Sequence, residues 1–231
     1  MDIKPLIIAG SGPSLALRLN EIAVMDIPVA AVSTTVRVIP RPNYWVTADN
    51  INHHHGGEKA YETARCETVR KVVPDTLNAF WSKYPNVEYV HISSLKSIDR
   101  KTKKKREYFD GHGPLRSFNR SMTFCIQWAF LHFNCLIFCG MDLRSDPKNP
   151  YAYETKVYQK KINSLNKGHL REIAMIKSWS PLALKRGFVW LNWNEDKSPM
   201  ATACHGEFDG RTPLDRLFEA ALGNPTGVES D

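Results

Sequence analysis

Short apolar runs and segments of helical spacing alternate from the first residues onward. Residues 4–9 (KPLIIA) form an apolar run that stops at glycine, and residues 14–22 carry apolar side chains at helical spacing, which predicts strand, tight turn and helix. Residues 29–33 (VAAVS) and 44–49 (YWVTAD) repeat the short run, the second ending on a carboxylate. The pattern then predicts a helix over 63–73, a strand over 87–92, and a polar, basic, glycine-ended loop over 93–113. A buried helix follows over 121–133, then a strand over 136–139 that ends at Gly140-Met141-Asp142. Residues 146–168 are rich in Lys, Asn and Tyr; residues 171–185 read as a helix and 188–192 as a last strand.

Strands alternating with helices predict an α/β fold: a single Rossmann-like domain with a mainly parallel sheet, helices on both faces and a small lid. The 231 residues suffice for one such core and hardly for two, so the domain spans 1–231, with a lid or insertion at 144–168 and a basic loop at 93–113. That loop is long enough to carry function. No internal repeat or low-complexity tract interrupts the pattern.

Composition removes several classes. Hydrophobic residues at 42% and charged residues at 24% match folded soluble chains and argue against disorder. The longest apolar candidate, 124–140, is broken by Gln127, His132 and Asn134 and falls short of the roughly 18 residues a membrane span needs. The first strand begins within a few residues of Met1, which leaves no room for a signal peptide and sets the expectation of a cytoplasmic protein. Cys66, Cys125, Cys135, Cys139 and Cys204 are odd in number and lack CxxC spacing, as expected of reduced and mostly buried thiols.

The net charge of +7 permits a polyanionic partner through long-range attraction. Much of the excess sits in Lys101, Lys103, Lys104, Lys105 and Arg106, which read first as a solvated loop and second as an arm that tracks phosphates.

Candidate chemistry begins at Gly10, Ser11, Gly12, Pro13 and Ser14, between strand and helix, where outward amide N–H groups and a helix start favour phosphate. The pattern is neither GxGxxG nor GxxxxGKS, which disfavours a dinucleotide dehydrogenase and a P-loop kinase. An ordinary strand–helix turn with Ser14 as cap would read the same way. Asp49, Asn50 and Asn52 follow the third strand, and Asp142 follows the central one. The carboxyl ends of parallel strands line one crevice, so these groups should converge near the glycine turn, unless they serve only as caps and turns. His53-His54-His55 lacks a second cluster at metal-ligand spacing and reads as a solvated loop, so no metal site is expected, with contact of one of the three to the donor or acceptor as the lesser alternative. His169, after a glycine and ahead of a helix, is the candidate base for an acceptor hydroxyl, with helix capping as its bland alternative.

Taken in order, IIAGSGPSL (7–15), GMDL (140–143), YAYETK (151–156) and Gly168-His169 resemble the bacterial lipo-oligosaccharide sialyltransferases over most of the chain. The resemblance implies inverting transfer from a CMP-sugar-like donor without a metal or other cofactor. In it His169 acts as the base, and Tyr151 donates a hydrogen bond to the leaving phosphate. Asn119, Arg120 and Ser121 stand where that family contacts the donor, and Asp49 or Asn50 near its ribose- or base-binding asparagine. Ser11 and Ser33 replace two family asparagines, which leaves base and sugar open. Arg144 replaces a phosphate-binding tyrosine, and its guanidinium could keep that role. The basic loop suggests an acceptor such as a hydroxylated DNA base. A similar GSGPSL turn and GxDL strand end occur in the archaeal hydroxymethylpterin pyrophosphokinase-like group, which transfers diphosphate from ATP. That alternative gives Asp142 a task and His169 and Tyr151 none. A nucleotide- or nucleic-acid-binding module without catalysis is the third reading.

Overall fold

The computed structural model describes residues 2–39, 41–53, 57–93, 115–116, 120–143, 159–194 and 198–223. Among these the strands are β1 (Pro5–Ala9), β2 (Val29–Val32), β3 (Tyr44–Val46), β4 (Arg70–Pro74), β5 (Val87–Val90), β6 (Ile92–Ser93), β7 (Leu115–Arg116), β8 (Cys135–Cys139), β9 (Val189–Asn192) and β10 (Gly206–Glu207). The helices are α1 (Leu19–Val24), α2 (Gly57–Arg65), α3 (Asn78–Trp81), α4 (Ser121–Ala129), α5 (Gln159–Lys185) and α6 (Leu214–Gly223).

One eight-stranded sheet runs in the order β10-β9-β8-β1-β2-β3-β4-β5, and its pairings are parallel. Side-chain alternation along each strand splits the core into two faces. Leu6 and Ile8 of β1 and Leu136 and Phe138 of β8 pack with α4 and α5, against Phe124, Trp128, Ile176 and Trp179. Ile7, Ala9, Cys135, Ile137 and Cys139 face the other way, towards Ile22 of α1 and Phe218 of α6. On that second face Trp45 and Val73 meet Ala60 and Ala64 of α2 and Trp81 of α3. The result is a Rossmann-like α/β domain with helices on both sides of a parallel sheet. All five cysteines are free, and Cys125, Cys135 and Cys139 are buried. No helix among the described residues is long and apolar enough to cross a membrane.

Two sequence expectations need correction. Residues 63–73 are not one helix: α2 ends at Arg65, and Arg70–Pro74 is the strand β4. The paired β-branched Val72 and Val73 are fully buried between the helical layers, and that burial overrides the apparent helical spacing. His169 does not precede a helix but lies well inside α5, which runs 27 residues. Residues 159–168 of the expected lid are thus helical, whereas 144–158 lie outside the described residues. So does most of the basic loop, including Lys101, Lys103, Lys104, Lys105 and Arg106.

Candidate functional site at the carboxyl edge of the sheet

The sheet is built outward from β1 in both directions, through β2 on one side and β8 on the other. In such sheets the crevice outside the carboxyl ends of these two strands is the position where ligands bind. Here the glycine turn and the end of β8 are locked together. Gly10 N–H donates to Cys139 O at 2.8 Å and Gly12 N–H to Gly140 O at 2.7 Å. Ser14 N–H donates to Asp142 Oδ2 at 3.0 Å, and Leu15 N–H turns back to Gly12 O at 3.1 Å. Pro13 has no N–H. Except at Ser11, the amides that could cradle a phosphate are spent inside the protein, and one of them already holds a carboxylate. The glycines are needed for the close approach: a Cβ on Gly10 would lie 2.5 Å from Gly140 O, and one on Gly12 2.7 Å from the same atom. Behind this joint Asn194 Oδ1 accepts Met141 N–H at 2.7 Å and contacts Ser14 Oγ at 3.4 Å. Asn194 Nδ2 donates to Asn192 Oδ1 at 2.8 Å, and Asn192 Nδ2 to Glu207 Oε2 at 2.7 Å.

A second cluster closes over the ends of β2 and β3. Asp49 Oδ2 accepts the hydroxyls of Ser33 at 2.8 Å, Thr47 at 3.1 Å and Ser121 at 3.3 Å. Ser121 Oγ also accepts Ala48 N–H at 2.9 Å, which pins the first residue of α4 to the end of β3. Ser33 holds a left-handed backbone, φ 50°, and its carbonyl accepts Trp45 Nε1–H at 2.9 Å. Asn50 turns to its own loop, where Oδ1 accepts Asn52 N–H at 2.9 Å. Met122 lies over the glycine turn, since a Cβ on Gly10 would come 3.0 Å from its Cε. The start of α4 therefore bridges the glycine turn and the Asp49 cluster.

Arg120, the residue before α4, extends this edge towards α5. Its Nη1 donates to Glu172 Oε2 at 2.9 Å, with the Glu172 side chain 6% exposed and that of Arg120 34%. Burial raises the Glu172 carboxyl and the Arg120 guanidinium opposes that rise. From Lys185, close to the start of β9, back to His169 is about 24 Å of helix at 1.5 Å per residue. A four-residue strand such as β9 covers only about 13 Å. His169 thus stands at the carboxyl edge, one helical turn above Glu172. Burial, reinforced by the Arg120 charge, lowers the His169 imidazole to about 4, so it is neutral at pH 7. Its Nδ1 is buried and has no hydrogen-bond partner among the described residues.

The structure thus brings Gly10, Ser11, Gly12, Pro13, Ser14, Ser33, Asp49, Arg120, Ser121, Asp142 and His169 to one edge. Asn119, Arg144, Tyr151, His54 and His55 lie outside the described residues. Further along the same edge is a pair that sequence reasoning missed: His91 Nδ1 lies 2.7 Å from Asp75 Oδ2, and this bond holds the Asp75 carboxyl below its usual range. Glu172, Asn192 and Asn194 were missed as well. Glu172 alone carried a local signal, its i, i+3 spacing from His169. No family model, curated protein or solved structure matches the chain.

Proposed function

We propose that the protein is a glycosyltransferase that moves a sugar from a nucleotide-sugar, of CMP-sugar type, to an acceptor hydroxyl with inversion. The observation that carries this reading is a neutral imidazole, His169, beside a guanidinium, Arg120, at the carboxyl edge of a parallel sheet. In the reaction His169 takes the acceptor proton as the hydroxyl oxygen bonds to the anomeric carbon. The bond from that carbon to the phosphate oxygen breaks, and the nucleotide leaves with the electron pair. Because the amides of the glycine turn are engaged, the turn serves as a flat floor for the donor with Ser11 as its polar contact. Ser33 and Asp49 face the nucleoside, Asn50 offers it only the side-chain N–H groups left over from its loop bond, and Asn119, Arg120 and Ser121 serve the phosphate and sugar. Tyr151 and Arg144 take the leaving phosphate, as the resemblance to the sialyltransferases implies. In this reading no metal takes part, and the acceptor is a hydroxylated group on a polyanion such as DNA, drawn by Lys101 to Arg106.

The diphosphotransferase reading has less support, because Asp142, its key residue, is 2% exposed and bonded to Ser14 N–H. Calorimetric titration with CMP-, UDP- and GDP-sugars and ATP, followed by chromatography for released nucleotide, tests the proposal. A CMP-sugar should bind and turn over without Mg²⁺, and His169→Ala should lose about 10²- to 10⁴-fold in rate, a larger loss than it causes in donor binding. Mg²⁺-dependent ATP turnover would establish the rival, and binding without turnover a non-catalytic module.

A further inference from the structure

The described residues leave one cation at this edge with spare hydrogen-bonding capacity. Arg120 commits a single N–H, from Nη1, to Glu172, and no other described residue accepts from its guanidinium. Its side chain is one-third exposed, whereas the carboxylate that anchors it is almost wholly buried. Glu172 therefore fixes the guanidinium from behind and leaves its outer edge open. Arg120 is also the N-cap of α4 and makes no side-chain cap bond, so the first amides of that nine-residue helix add positive potential in the same place. Against this stands the buried Nδ1 of His169, a polar atom without a partner. A buried ring nitrogen without a partner is unfavourable, and the Arg120 charge disfavours a proton on the same ring; an anion that accepts from Nδ1–H and pairs with Arg120 would relieve both.

We propose that Arg120 and His169 together form a receptor for a phosphate oxyanion of the ligand, with Glu172 as the residue that positions Arg120. In the bound state the neutral imidazole adopts the tautomer in which Nδ1–H donates to the oxyanion. Nε2 is then left with its lone pair, free to accept a proton. The anion also offsets the Arg120 charge and makes the imidazole more basic. The ligand's own phosphate thus does for His169 what a carboxylate does for the histidine of a catalytic triad: it fixes the tautomer and supports the positive charge that forms. The inference rests on the glycosyl-transfer reading only for the source of the phosphate, which there is the donor.

Imidazole ¹⁵N–¹H correlation spectra of the intact protein, recorded across pH with and without inorganic pyrophosphate, test it. Without the anion His169 should titrate near about 4. With saturating pyrophosphate it should show the Nδ1–H tautomer and bind its proton at least about tenfold more tightly. Arg120→Gln should weaken pyrophosphate binding at least about tenfold and move the free-state titration of His169 up only part of the way to its ordinary value, because burial, the larger cause of the lowering, remains. Glu172→Ala should also weaken binding, and Glu172→Gln, which keeps an oxygen acceptor for Nη1, should restore most of it. His169 resonances that stay unmoved while pyrophosphate binds would overturn the receptor, and that comparison needs no variant. Failure of Glu172→Gln to outperform Glu172→Ala would remove the positioning role. An equal response to acetate would make the site a carboxylate receptor and overturn the phosphate assignment. If pyrophosphate behaves as expected but no nucleotide-sugar is turned over, the receptor stands and the glycosyl-transfer reading falls.

Discussion

Ser14 and Asp142, 128 residues apart, meet through one hydrogen bond: the Ser14 amide donates to the buried Asp142 carboxylate at 3.0 Å. It converts the strand–helix turn from an open anion cradle into a joint that fastens β1 to the end of β8. Asp142→Ala should therefore act on stability, lowering it by about 1–3 kcal/mol, with Asp142→Asn milder because an amide oxygen can still accept. Urea unfolding midpoints measure this. Unchanged midpoints with lost activity would instead place Asp142 in the chemistry.

The same joint ranks the glycines. A Cβ on Gly12 would press on the Asp142 carboxylate and the Gly140 carbonyl, one of them backbone, so Gly12→Ala should destabilise by about 2 kcal/mol or more. Gly57 has a positive φ of 62° but nothing within 4 Å of the added atom. Gly57→Ala should then cost only the conformational part, about 1 kcal/mol. Thermal midpoints of the two variants compare directly, and equal losses would show that packing at the joint is looser than its backbone bonds imply.

The sheet was largely legible in the sequence, and the site only in part. Runs such as PLIIA, VAAV and CLIFC are strands because they are buried on both faces, a condition that apolar composition reports directly. β4 escaped because it carries Lys71, a lysine with no exposed surface, where a strand buried on both faces should be apolar. The first twelve residues of α5, 159–170, escaped because the helix there is mostly polar and offers no continuous apolar stripe to read. Asp49 was recognisable by its place after the third strand, and His169 by chemical type alone, since it lies inside α5 and not ahead of a helix. Glu172 and Asn194 gain their roles from partners 52 and 53 residues away, Arg120 and Met141, which no local pattern announces.

Lys71 carries its own prediction. Its ammonium donates to the Cys66 carbonyl at 2.7 Å, and burial lowers its pKa against the opposing pull of Cys66 and Glu67. A folded pKa below the unfolded value, about 10.4, means that stability is fully present above that value and is lost as pH falls through the folded one. At neutral pH the buried charge is a cost. Lys71→Met, of similar volume, should be as stable as the parent or more so at pH 7, with any advantage shrinking towards pH 10. A large loss at pH 7 in chemical denaturation would show that the bond to Cys66 outweighs the burial of the charge.

His205 supplies a second pH-dependent element, on structural grounds alone. Its Nδ1 accepts Trp190 N–H at 3.0 Å, while Nε2 lies 3.1 Å from the Ser180 carbonyl and 2.9 Å from Ser180 Oγ. The Trp190 bond requires an unprotonated Nδ1, so the ring is neutral with its proton on Nε2, facing Ser180. Burial lowers its pKa, and the Ser180 carbonyl, which favours the charged ring, only partly offsets this. The folded value therefore lies below about 6.5, the unfolded chain takes up its proton first on acidification, and the contribution is intact above about 6.5 and lost as pH falls through the folded value. His205→Ala leaves Trp190 N–H, within a fully buried residue, without its acceptor, which should cost about 1–3 kcal/mol at pH 8. That deficit should narrow at pH 5, because the parent loses there what the variant never had. Urea midpoints of parent and variant at the two pH values isolate His205 from His169, since both chains keep the latter. A deficit that stays constant with pH would mean that the ring acts by packing on Trp190, which it stacks at 5.8 Å, and not by its titratable nitrogen.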